Sequence, residues 1–117
     1  MIKVFISQPM RNKTNTEILE QREYIAELAR KKWGDVEIAA SFFQDAPHDA
    51  APLWFLGESL KVLSHADVLI ACKGFHEARG CRIEILAADE YGIPVYFDYG
   101  GTLFNWDEEN KGANEDD

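Results

Sequence analysis

Val68-Leu69-Ile70-Ala71-Cys72 is an unbroken apolar run, and its reading decides the fold class. A strand with one face in water alternates apolar and polar residues. A strand apolar at every position is covered on both faces, which is the habit of parallel sheets flanked by helices. The flanking residues agree with this. Pro52 suits the first turn of a helix, and Leu53, Leu56, Leu60 and Leu63 follow at steps of three, four and three, marking one buried stripe. Beyond the run, the polar loop Lys73 to Arg79 leads into a helix from about Gly80 to Tyr91, which Gly92 stops. Ile93-Pro94-Val95-Tyr96-Phe97 then reads as the next strand.

The N-terminal part follows the same pattern. Ile2-Lys3-Val4-Phe5-Ile6-Ser7 is β-rich and ends at Gln8-Pro9. Thr14-Asn15-Thr16-Glu17 has the form of a capping box, and a helix with Ile18, Ile25, Leu28 and Ala29 at helical spacing runs to about Lys32, ended by Gly34. Val36 to Ala40 reads as a second strand, and residues 42–51 as an irregular loop. Four strands alternating with three helices predict an α/β domain with a parallel sheet, right-handed crossovers and strand order 2-1-3-4. Gly100-Gly101 marks a turn. Leu103, Phe104 and Trp106 after it are expected to cover the domain's own edge, with a dimer contact as the alternative. The single domain is assigned to residues 1–106, and the acidic stretch 107–117 is expected to be a disordered tail.

At 117 residues, with 46% hydrophobic and 28% charged side chains, the chain buries roughly two-thirds of its unfolded surface and needs no staples. Its net charge is −9, of which −5 lies in residues 107–117, leaving an acidic body at −4. Such a body repels a phosphate backbone, and the one basic cluster, Arg30-Lys31-Lys32, suits a helix C-terminus instead. Nucleic acid as a polymer is therefore not expected as a partner. No apolar run approaches the roughly 18 residues of a membrane span. Met1-Ile2-Lys3-Val4 reads as a strand rather than a signal peptide, so the expectation is a soluble, cytoplasmic protein with no membrane partner. Cys72 and Cys81 form no C-x-x-C pair, and with His48 and His76 they show no ligand spacing, so no metal or other cofactor is called for.

In an open parallel sheet, ligands bind beyond the carboxyl ends of the strands, near a switch in strand order. Two loops qualify. The first carries Ser7, Gln8 and Arg11, which suit a phosphate or a sugar; the second carries Arg79 and Arg82 beside the backbone N–H groups from Gly80 onward. Glu84 follows in the first turn of that helix, either as an acid complementing the helix dipole or as a carboxylate nucleophile for glycosyl transfer; position alone leaves both open. Cleavage of a glycosidic bond also needs an acid for the leaving group, for which Asp49, His48, Glu58 and His76 are candidates. Trp54 and Phe55 either stack on a base or pack in the core or an interface.

Phe5-Ile6-Ser7-Gln8-Pro9-Met10-Arg11, Ala66-Asp67-Val68-Leu69-Ile70, Arg79-Gly80-Cys81-Arg82-Ile83-Glu84 and Gly92-Ile93-Pro94-Val95 occur in an order that resembles the nucleoside 2-deoxyribosyltransferase-like superfamily. The resemblance spans about residues 2–98 and is nearest to a short branch with an Arg/Ser-Gly-x-x-x-Glu helix start. It implies a flavodoxin-like three-layer α/β/α fold and cleavage or transfer at the N-glycosidic bond of a nucleoside or nucleoside 5′-monophosphate. It also implies homodimers that complete each other's sites. Glu84 matches the nucleophile that forms the glycosyl-enzyme intermediate, and Gln8 to Arg11 match the loop that holds the 5′-phosphate. Ser7, Ser59, Arg79, Gly80, Cys81 and Arg82 complete the implied substrate-binding set. The chain departs from the enzymes twice. Ser59, with Glu58 beside it, stands where they carry an aspartate, and Gln8-Pro9-Met10 is poorer in glycine than their first loop. A non-catalytic module that binds a nucleotide in the same cleft is the alternative.

Overall fold

Leu69 and Ile70 point to opposite faces of the sheet, yet neither exposes any surface. In the computed structural model, which describes residues 1–107, helices cover both faces of the strand that carries them. The elements are β1 (Ile2–Ser7), α1 (Asn15–Trp33), β2 (Val36–Ile38), α2 (Pro52–Leu63), β3 (Val68–Ala71), α3 (Arg79–Glu90), β4 (Val95–Tyr99) and β5 (Thr102–Asn105). A short 3-10 turn, Phe75–Glu77, lies between β3 and α3. The tail expected over 107–117 falls outside the described residues beyond Asp107.

The sheet order is β2-β1-β3-β4-β5, and every pair is parallel except β4 with β5. This is a flavodoxin-like α/β/α arrangement, with the switch in strand order between β1 and β3. Strand alternation divides the core in two. Val4, Ile6, Val68, Ile70 and Cys72 pack with Ile25, Leu28 and Ala29 of α1 on one face. Phe5, Leu69, Ala71 and Val95 pack with Leu63 of α2 and Ala88 of α3 on the other. The capping box forms as read: Glu17 N donates to Thr14 Oγ1 at 3.1 Å, and Thr14 N donates to Glu17 Oε1 at 3.0 Å. At the amino edge, Asp67 accepts a 2.8 Å hydrogen bond from Lys3 N, tying the start of β3 to β1.

Two features differ from the sequence reading. The segment after Gly100-Gly101 is a fifth, antiparallel strand. Tyr99 pairs with Thr102 across a two-residue loop whose glycines have φ of 62° and 90°, the conformation that matches a hairpin's twist. Leu103 is thereby buried in the α1-side core. The leucine stripe of α2 is also shorter than its spacing implied: Leu63 is buried, but Leu53 is 75% exposed. Ten residues at about 100° each leave Leu53 about 80° round the helix from Leu63. The buried face takes Ser59 instead.

One substitution at two positions tests this packing. Leu63→Ala should lower unfolding free energy by about 2–5 kcal/mol, because it opens a cavity against β3. Leu53→Ala should change it by less than about 0.5 kcal/mol in the same urea titration. Equal losses would mean that α2 is rotated from the orientation described.

Candidate functional site

The carboxyl ends of β1 and β3 lie side by side, with Ser7 in register with Ala71 and Cys72 N donating to Ser7 O at 2.9 Å. The two loops that leave these ends touch: Gly74 has φ of 86° and turns the chain close against the Pro9 ring. The second loop then enters α3, whose first turns place Cys81 and Glu84 against the sheet edge.

Glu84 is the centre of this region. Its carboxyl group is buried with 8% exposure, and Ser7 Oγ donates to Glu84 Oε1 at 2.7 Å across 77 residues of sequence. Ser59, itself buried on α2, supplies a second hydroxyl to the same carboxyl group. Burial pushes the Glu84 carboxyl above its ordinary value of 4.5, and the Ser7 and Ser59 hydrogen bonds pull it part of the way back. Cys81 also bonds Ser7. Burial raises the Cys81 thiol to about 11, against a smaller lowering by the Ser7 contact, which keeps it protonated at neutral pH. Three elements thus converge on one carboxylate: the end of β1, the middle of α2 and the start of α3.

The other sequence-derived candidates are placed differently. Gln8 points to the opposite face, where its amide nitrogen donates to Ile18 O and Gln21 Oε1 at 2.9 Å each, binding α1 to the end of β1. Arg11, Arg79, Gly80 and Arg82 are all exposed at the rim, and Arg82 Nη1 donates to His76 O at 2.9 Å. A Cβ added at Gly80 meets open space and its φ is not positive, so the protein's own packing does not demand glycine there. His48 and Asp49 are exposed in the loop between β2 and α2, whose Phe43 packs edge-on against Trp54 at 6.2 Å. Glu58 accepts from Lys61 Nζ at 3.1 Å, and His76 lies 3.9 Å from Glu77. Hydrogen bonds therefore join Ser7, Ser59, Cys81 and Glu84 and leave the candidate acids outside that cluster. Among the described residues, no group of three His, Cys, Asp or Glu side chains is placed to hold a metal ion, and no helix is long and apolar enough to cross a membrane.

One residue at this edge escaped the sequence reading. Arg22, in the middle of α1, donates from Nη1 to Gln8 Oε1 at 3.4 Å and from Nη2 to Ala39 O at 3.0 Å and Ser41 Oγ at 3.3 Å. Burial lowers the affinity of its guanidinium for the proton. Nothing in Gln21-Arg22-Glu23 distinguishes this arginine from a solvated one, because its acceptors lie 14 to 19 residues away at the ends of β1 and β2.

The fold is similar to a solved structure described as a conserved protein from Enterococcus faecalis V583, with a TM-score of 0.63 and 19% identity. The match covers 83% of this chain and 62% of that one, so the chain spans under two-thirds of the other's length. At that identity the likeness is one of fold. No protein-family model and no curated protein matches the chain.

The Glu84 environment predicts a pH signature. A carboxyl raised on folding adds most to stability below 4.5, and that contribution is lost as the pH climbs through its folded value. Wild-type protein should therefore lose stability relative to Glu84→Gln as the pH rises from about 4 to neutrality, as read by urea denaturation at a series of pH values. Two curves that stay parallel would show that folding does not raise the carboxyl.

Proposed function

We propose that the protein cleaves or transfers the N-glycosidic bond of a nucleoside or nucleoside 5′-monophosphate, with Glu84 as the nucleophile. The observation that carries this reading is the buried Glu84 carboxyl, held by the Ser7 and Ser59 hydroxyls at the β1/β3 switch point. A nucleophile needs a fixed direction of attack, and two donors on one carboxyl group provide it. In the first step a Glu84 oxygen bonds to the anomeric carbon while the carbon–nitrogen bond breaks, its electron pair leaving with the base. The base takes a proton from a general acid, for which Asp49 and His48 are the candidates on the loop joining the sheet edge to α2. Water or a second base then attacks the glycosyl ester and frees the carboxylate. Ser59 takes the place of the enzymes' aspartate by bonding the nucleophile, so on this reading it is a positioning residue. Gly80 leaves the start of α3 open to close approach by the substrate. We also assign a second copy of the chain as partner, supported by Leu53 at 75% exposure on the first turn of α2 and Leu86 at 58% exposure past the middle of α3.

A second reading has its own support. Glu84 is 8% exposed, and a serine replaces the carboxylate beside it, which suits a module that binds a nucleotide without turning it over.

Incubation with nucleosides, 5′-monophosphates and NAD, followed by chromatography for free base, separates the two. The enzyme releases base; Glu84→Gln should retain the fold and lower turnover by orders of magnitude. A 2-fluoro-sugar substrate should add mass to wild-type Glu84 and none to the Gln variant. Full activity in Glu84→Gln would end the nucleophile assignment, and ligand-dependent stabilisation with no base released would select the binding module. Gly80→Ala should leave the melting temperature unchanged or raise it, since alanine is the better helix former, while weakening ligand binding in the same assay.

A further inference from the structure

The two outer strands of the sheet are built differently. β2 is a three-residue strand whose Glu37 reaches across to Lys3 at 3.7 Å, and a charge on so short an edge discourages pairing with another chain. β5, at the other edge, carries no charge and no proline from Thr102 to Asn105. Tyr99 and Thr102 close the two-residue loop as a hydrogen-bonded pair, so by alternation Leu103 turns its backbone N–H and C=O to the open side. Among the described residues no strand lies beyond β5. On the α3 side of this hairpin, Phe97, Tyr99, Phe104 and Trp106 form one ring cluster with neighbouring centroids 5.7 to 6.3 Å apart. Tyr99, at its rim, is 72% exposed.

On the other face α1 runs beside β5, and its charges are divided along its length. Early in α1, Glu17, Glu20 and Tyr24 line a shallow groove with Lys13. Later, Lys31 and Lys32 line a second groove with Gly101, Thr102 and Leu103. The Tyr24 hydroxyl bonds Asp98 and lies beside Gly101, so the hairpin loop joins the two grooves. Arg30 is held by Glu23 and Glu27, which leaves Lys31 and Lys32 as the cations this end presents. Among the described residues Glu20, Lys31 and Lys32 form no salt bridge. A copy of this face turned end for end sets the acidic half of one α1 against the basic half of the other, so the face is its own complement.

We propose that the α1/β5 face pairs with the same face of a second copy of the chain, about a two-fold axis normal to the sheet. β5 then runs antiparallel to its mate and the two sheets become one, with Leu103 bonding across the seam. Glu17 and Glu20 of each copy face Lys31 and Lys32 of the other. A stable interface buries about 800 Å² per partner, more than two four-residue strands supply, so the α1 stripe and the ring cluster belong to the contact. Because the β2 edge is guarded, pairing through β5 closes on two copies and does not propagate along the sheet. This face lies in the helical layer opposite the exposed leucines of α2 and α3, and the proposal is independent of the glycosidic reading.

The test is the mass of the full chain by sedimentation and light scattering over a range of protein concentrations. Wild-type particles should hold an even number of chains. Glu20→Lys and Lys31→Glu, both at exposed positions with no hydrogen bond or salt bridge among the described residues, should each move the association midpoint about ten-fold or more to higher concentration and leave half as many chains per particle. Both substitutions in one chain exchange the two signs and should restore the wild-type mass, which a loss of helix stability would not do. Added salt should dissociate the wild type, and amide exchange at Leu103 should slow as its concentration rises. A monomer at every concentration, or an assembly that both single reversals leave intact, would overturn the proposal. So would an assembly lost in Leu53→Ser and kept in both reversals, which would put the contact on α2 and α3 instead.

Discussion

Every other element is arranged around β3, a strand with no side facing water. Val68, Leu69, Ile70 and Ala71 each need an apolar neighbour, and strand alternation sends them to both faces. One layer of helix meets half of that need, so α1 must lie on one face and α2 with α3 on the other. Right-handed crossovers then leave one solution for the short connections available, with β1 and β4 beside β3 and β2 outside β1. The edge that carries the candidate site is a by-product of this packing. Parallel neighbours end together, so the loops after β1 and β3 emerge side by side and the start of α3 comes down onto the end of β1.

That edge is divided by the same alternation. Ser7 and Gln8 are consecutive, so their side chains leave the strand on opposite faces. Ser7 meets Glu84, Cys81 and, through Glu84, Ser59 on the α2/α3 side. Gln8 meets α1 and Arg22 on the other. One dipeptide thus joins a buried acid to a half-buried base without the two touching in a salt bridge. Their charges are held in place by neutral hydroxyl, amide and carbonyl groups, which orient them without neutralising them.

The reading of particular residues shows where sequence information ends. Glu84 was legible because it falls in the first turn of a helix that follows a buried strand, and position relative to such elements is a local property. Ser59 was visible only as a departure from a pattern, and its bond to Glu84 depends on how α2 is rotated. Leu53 and Leu63 share a leucine spacing, yet the drift of a helix over ten residues carries one of them off the buried face. Arg22 carried no signal at all, since its acceptors belong to the ends of β1 and β2. The hairpin into β5 was half-legible: Gly100-Gly101 announces a turn, but whether the chain beyond it pairs depends on the open edge that β4 presents.

By itself, then, the sequence determined the alternation of strands and helices, the double coverage of β3 and the sheet edge that carries the candidate site. Those follow from hydrophobic periodicity and from caps, which act over a few residues and do not need the rest of the chain. Only the tertiary structure decided which polar groups share that edge. A hydrogen bond such as Ser7 to Glu84 spans 77 residues, and no local pattern encodes it. It exists because apolar burial had already brought the end of β1 and the start of α3 together, leaving two polar side chains with each other as the nearest partner.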